Sequence, residues 1–96
     1  MPAYLIATVT ITDPVRFGQY LKGIAGLPAK FGGEPVLKGV VAEVVEGRAD
    51  ATERVIVSRF PDIEAAREYL GCAEYRAAKQ HRLGAAEVTV RLVDSV

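Results

Sequence analysis

An α+β domain, with a four-stranded antiparallel sheet and its helices on one face, is the fold class this sequence predicts. Three observations predict it. Strand-like and helix-like segments follow one another in the order β-α-β-β-α-β. The two halves echo each other: Asp13 precedes Tyr20-Leu21 at seven-residue spacing, and Asp62 precedes Tyr69-Leu70 at the same spacing. Half of the 96 residues are hydrophobic and a quarter are charged, which is globular composition rather than disorder.

Ala3 to Thr12 alternates, with Leu5, Ala7, Val9 and Ile11 pointing one way and Tyr4, Ile6, Thr8 and Thr10 the other. Period two with β-branched residues reads as a strand. Asp13-Pro14 then suits a helix start, since Asp accepts a backbone N–H and Pro fits the first helical position. Phe17, Tyr20, Leu21, Ile24, Leu27 and Phe31 recur at helical spacing up to Gly32-Gly33, and Pro28 predicts a kink or break near Gly26. Pro35 to Val45 is apolar at almost every position, as in a strand buried on both faces, with Gly39 as a bulge candidate. A polar loop from Gly47 to Glu53 leads to a third strand, Arg54 to Phe60. Asp62 caps a second helical region whose inner stripe is Ala65, Ala66, Tyr69 and Leu70. Gly71-Cys72 breaks it, and Ala73 to Leu83 forms a further helix with Tyr75 and Ala78 inward. Glu87 to Val93 is the fourth strand, with Val88, Val90 and Leu92 opposite Thr89 and Arg91.

This order is that of a ferredoxin-like split β-α-β sheet, and residues 1–96 suit one domain of that kind. Helices on one face leave the other bare. It would carry Tyr4, Ile6, Thr8, Thr10, one apolar row of the second strand and either Ile56 and Ser58 or Val55 and Val57, too apolar for open water though dotted with hydroxyls and Arg91. A homodimer through that sheet face is the expectation.

Composition excludes several classes. Lys plus Arg equals Asp plus Glu, so the net charge is zero and no basic excess is available to neutralise nucleic-acid phosphates. No apolar run approaches the ~20 residues that span a bilayer. One cysteine, Cys72, permits no internal disulfide and suits a reducing compartment. The first residues lack the basic start of a signal peptide, so the cytoplasm is the expected location. No metal site is expected from a single histidine without ligand-spaced partners, and no cofactor is indicated.

Three segments resemble a known family. Gly32-Gly33 with Val36-Leu37-Lys38-Gly39 is similar to its "YGGxxLVRGG" segment. Phe60-Pro61-Asp62-Ile63-Glu64-Ala65-Ala66 is similar to "FPSxEAA", and Cys72-Ala73-Glu74-Tyr75 with Arg82 and Ala85-Ala86 to "SPEYxxxxxxRxxAA". The family is the domain-of-unknown-function family 1330, of the dimeric α/β-barrel superfamily. The resemblance implies a ferredoxin-like protomer and sheet-to-sheet dimer, and brings no established reaction. Lys38 replaces the family's usual Arg, Cys72-Ala73 replaces Ser-Pro, and Val93-Asp94-Ser95-Val96 replaces a common Glu-Gly tail.

Candidate chemistry rests on few residues. His81 and Arg82 are the catalytic candidates: His81 is the only histidine, the residue type most used as general acid or base, and Arg82 could stabilise negative charge. Tyr20, Lys38, Tyr75 and Arg82 are the candidate ligand-binding set. Arg82 lies seven residues after Tyr75, on the same inward stripe, where a guanidinium needs a carboxylate, a carbonyl or an anionic ligand. Each candidate also has a structural reading: an exposed His81, an ion-paired Arg82, tyrosines that only fill core, a snorkelling Lys38. Three functions stay open: binding of a small organic molecule between sheet and helices, a cofactor-independent oxygenase or isomerase of small aromatic or carbonyl compounds, and a non-catalytic dimeric module.

Overall fold

The strands assemble as the alternation requires. The computed structural model describes residues 1–49 and 52–95. Strands β1 (Ala3–Ile11), β2 (Glu34–Val40), β3 (Arg54–Phe60) and β4 (Ala86–Asp94) form one sheet in the order β2-β3-β1-β4. All three pairings are antiparallel. With helices α1 (Pro14–Gly23), α2 (Ile63–Gly71) and α3 (Ala73–Arg82), and a 3-10 turn at Pro28–Phe31, this is the ferredoxin-like α+β fold.

Register assigns the two faces. Leu5, Ala7 and Val9 share the helix side with Ser58, Ile56 and Arg54 of β3 and with Leu92, Val90 and Val88 of β4. Tyr4, Ile6 and Thr8 share the open side with Arg59, Val57 and Val55, and with Val93, Arg91 and Thr89. The core lies on the helix side, where Leu5, Val9, Phe17, Tyr20, Leu27, Phe60, Ala66, Tyr69, Tyr75 and Ala78 form one buried cluster.

Local chemistry sets the helix ends. The Asp13 carboxylate accepts from the Arg16 N–H at 3.2 Å, and that of Asp62 from the Ala65 N–H at 2.8 Å. α1 stops at Gly23, and the chain turns through Gly26 before the 3-10 turn, as Pro28 requires. Gly32 then takes the left-handed conformation at φ 78°, which a side chain would strain. α1 packs against α3. Gly23 permits this close approach, because a Cβ there would lie 2.7 Å from the Ala78 Cβ.

Cys72 closes α2 and opens α3. Its sulfur accepts from the Tyr75 N–H at 3.4 Å. Sulfur is a weak acceptor. Cys72→Ser should therefore strengthen the cap and stabilise the fold by about 0.5–1 kcal/mol. Thermal denaturation checks this, and a lower Tm would show that sulfur packing outweighs the cap.

The structure corrects three expectations about β2. It ends at Val40 rather than Val45, because β3 begins opposite it at Arg54; beyond it Val41 still donates to the Glu53 carbonyl at 2.9 Å. The irregularity falls between Pro35 and Leu37, not at Gly39, since Pro35 has no N–H for the ladder. Every residue of β2 is exposed in the chain, not buried on both sides, because it is an edge strand with no helix packed on it. Of the expected 47–53 loop, positions 50 and 51 lie outside the described residues, as does position 96.

Candidate functional site

Helix spacing and close α1–α3 packing bring three of the expected residues together. Tyr75 and Arg82 lie two turns apart on the inner stripe of α3, and Tyr20 faces them from α1. Arg82 is only 7% exposed. Its Nη1 donates to the Tyr20 hydroxyl at 3.0 Å and to the Tyr75 hydroxyl at 3.1 Å. The guanidinium also lies 5.0 Å from the Tyr20 ring centroid and 5.7 Å from that of Tyr75, within cation–π range. The ion pair with a carboxylate that the stripe position allowed is not what holds it. Among the described residues the ion pairs are Arg59–Glu34 and Arg67–Glu64.

A second set of contacts holds this geometry. Arg16 Nη2 donates to the Leu83 carbonyl at 2.8 Å, and the Thr12 and Asp13 N–H groups both donate to the Ala85 carbonyl at 2.8 Å. The start of α1 is thereby tied to the turn after α3. The aromatic rings continue inward: Tyr69 lies 5.0 Å from Tyr75 and 5.5 Å from Phe60.

The cluster forms part of the wall of a cavity of about 520 Å³ between sheet and helices. Leu5, Val9, Phe17, Ile24, Val88 and Val90 supply much of the apolar lining. Lys38 lines the same cavity from β2, where register places it on the helix side opposite Ile56. His81 is exposed on the last turn of α3 and does not line the cavity. Three polar lining residues lay outside the expected ligand set. Tyr69 was legible as an inward aromatic, and Arg54 and Ser58 belong to the helix-side row of β3, which alternation alone left unassigned.

Burial pushes the Tyr20 phenol up to about 12, nearby Tyr75 adds to this, and Arg82 opposes it. Burial, with Tyr20 and Tyr75 beside it, holds the Tyr69 phenol well above its usual range. Both phenols stay protonated at neutral pH. Neither is a base at that pH, and each keeps an O–H able to donate.

A phenol whose folded pKa exceeds its unfolded value stabilises the fold while protonated. That contribution is complete below pH 10.0 and is lost as pH rises through about 12. Stability should therefore fall with pH in this window. Denaturant titrations across the alkaline range check this, and constant stability would contradict burial of Tyr20.

Comparison with known proteins agrees with the fold. A protein of unknown function from Rhodopseudomonas palustris is similar, with a TM-score of 0.78 and 19% identity over 99% of this chain and 82% of that one. A dimeric ferredoxin-like protein of unknown function from Jannaschia sp. CCS1 gives a TM-score of 0.73 and 12% identity, covering 99% and 100%. SnoaB, a cofactor-independent oxygenase from Streptomyces nogalater, gives 0.67 and 14%, covering 99% and 93%. No curated protein matches the chain. The family model for the domain of unknown function DUF1330 matches residues 2–96, as the three sequence segments lead one to expect, and the chain belongs to that family.

Proposed function

We propose that this protein is a homodimer that binds a small organic molecule between its sheet and helices. The observation that carries this reading is an apolar cavity with one polar cluster, Arg82 with Tyr20 and Tyr75, in its wall. Ligand sites commonly have this form: about 300–1,000 Å³, mostly apolar, with a few convergent polar groups. Apolar walls supply affinity, and the polar cluster orients the ligand. The protonated Tyr20 fits a binding role, since it offers hydrogen bonds without titrating near neutrality.

The dimer follows from the open sheet face. Ile6, Val55, Val57 and Val93 lie there, with Leu37 beside Val57. On the edge strand Val36 is 55% and Leu37 50% exposed. Four strands of seven to nine residues, spaced about 4.8 Å with about 3.4 Å per residue, give a face of roughly 500 Å². Two such faces supply roughly 1,000 Å² before side-chain relief is counted, close to the ~1,200–2,000 Å² of a stable interface. The dimeric Jannaschia protein has the same fold and supports this reading.

Native mass spectrometry of freshly purified protein tests both parts. The expected result is twice the 10.3 kDa chain mass with a retained small molecule on part of the population. A bare monomer would contradict both.

A further inference from the structure

Resting on the cavity as a ligand site, we infer that the ligand is a small organic monocarboxylate whose anionic group is received at Arg82. A guanidinium cannot deprotonate at physiological pH, so Arg82 carries a full positive charge at a buried position. Its hydrogen-bond partners are hydroxyls, and the Tyr20 phenol stays neutral. Cation–π contact with the two rings offsets only part of the cost of burying an unpaired charge. The rest of the wall adds positive charge at exposed positions. Lys38 and Arg54 line the cavity, and among the described residues no Asp or Glu lines it. A chain with zero net charge has thus gathered three cations, Lys38, Arg54 and Arg82, around one apolar space.

The donor geometry suits a carboxylate. Both hydrogen bonds to the tyrosines leave from Nη1, so Nη2 and Nε are not spent on them. That edge of the fork matches two carboxylate oxygens. Each tyrosine oxygen accepts from Arg82 and keeps its own proton. At most one of those two protons can lie between the two oxygens, so at least one O–H remains to donate to the ligand. The apolar wall around this cluster selects an aliphatic or aromatic body.

Isothermal titration with paired probes tests the inference. Hexanoate, benzoate and phenylacetate are compared with hexanamide, benzamide and phenylacetamide at low salt. The acids should bind at least about ten-fold more tightly than the amides. Arg82→Gln should abolish that preference, Arg82→Lys should keep part of it, and Lys38→Met should weaken the acids several-fold while leaving the amides unchanged. If Arg82→Gln does not fold, the Arg82 Nε–H resonance of the unmodified protein decides: it should move with hexanoate and stay in place with hexanamide. Amides that bind as tightly as acids would overturn the anion assignment and leave the cavity reading standing. Absence of binding by both classes would overturn both.

Discussion

Phe60→Ala is expected to cost about 3–5 kcal/mol, the usual range for emptying a well-packed aromatic site. Phe60 is the largest fully buried side chain, at 0% exposure. It stacks on Tyr69 with ring centroids 5.5 Å apart, and its ring lies so close to Gly33 that a Cβ there would be 2.7 Å from Cε1. Three parts of the fold therefore meet on this ring: the end of β3, α2 through Tyr69, and the chain that enters β2. Two of them are backbone-anchored and cannot collapse inward to fill the space. With total stability of about 5–15 kcal/mol for a typical domain, such a loss removes much of the margin. At about 4–8 °C per kcal/mol for a domain of this size, Tm should fall by at least ~12 °C. Urea unfolding should show a lower midpoint with an unchanged slope. Phe60→Leu, which keeps most of the volume, should cost about 1–2 kcal/mol. A Tm within a few degrees of the parent for the alanine variant would contradict the packing described for this ring.

Val57→Asp is expected to convert the proposed dimer to monomer. Val57 lies on the central strand β3, on the open face, between Ile6 of β1 and Leu37 of β2. Two-fold pairing of that face would bury a new carboxylate with apolar neighbours directly opposite on both adjoining strands. An unpaired buried charge costs several kcal/mol, and each ~1.4 kcal/mol is a factor of ten in Kd. Dissociation should therefore strengthen by at least ~100-fold, as read by analytical ultracentrifugation. The fold itself should survive, because Val57 is only half-buried in the isolated chain. Circular dichroism separates the two effects, and Val57→Thr should leave the dimer intact. A Val57→Asp protein that remains dimeric would show that the open face is not the interface.

Particular residues show how far the sequence can be read. The alternation from Leu5 to Thr10 determines which residues of β1 face the helices, since one-sided burial leaves period two in the chain. The matched aspartates at 13 and 62 mark two helix starts, because each carboxylate has a local N–H to accept from three residues on. The seven-residue step from Tyr75 to Arg82 is likewise local, so their shared stripe was legible. The partner of Arg82 was not. Tyr20 lies 62 residues away, and spacing cannot tell a hydroxyl from a carboxylate across that distance. Lys38 and Arg54 illustrate a second limit. Their side of the sheet depends on the irregularity at Pro35 and on the pairing register of β3, neither of which alternation determines. The exposure of β2 was hidden for a third reason. An apolar run covered by its own chain and one awaiting a second subunit have the same composition.

The cavity between sheet and helices, with a charged Arg82 in its wall and no carboxylate among the described lining residues, is tested most directly by a crystal structure of the protein purified at neutral pH without added ligand. Arg82 should lie inward on Tyr20 and Tyr75, with non-protein density in the cavity against its free edge. An Arg82 turned into solvent, or paired with an Asp or Glu of either subunit, or a cavity filled by the protein's own side chains, would contradict it.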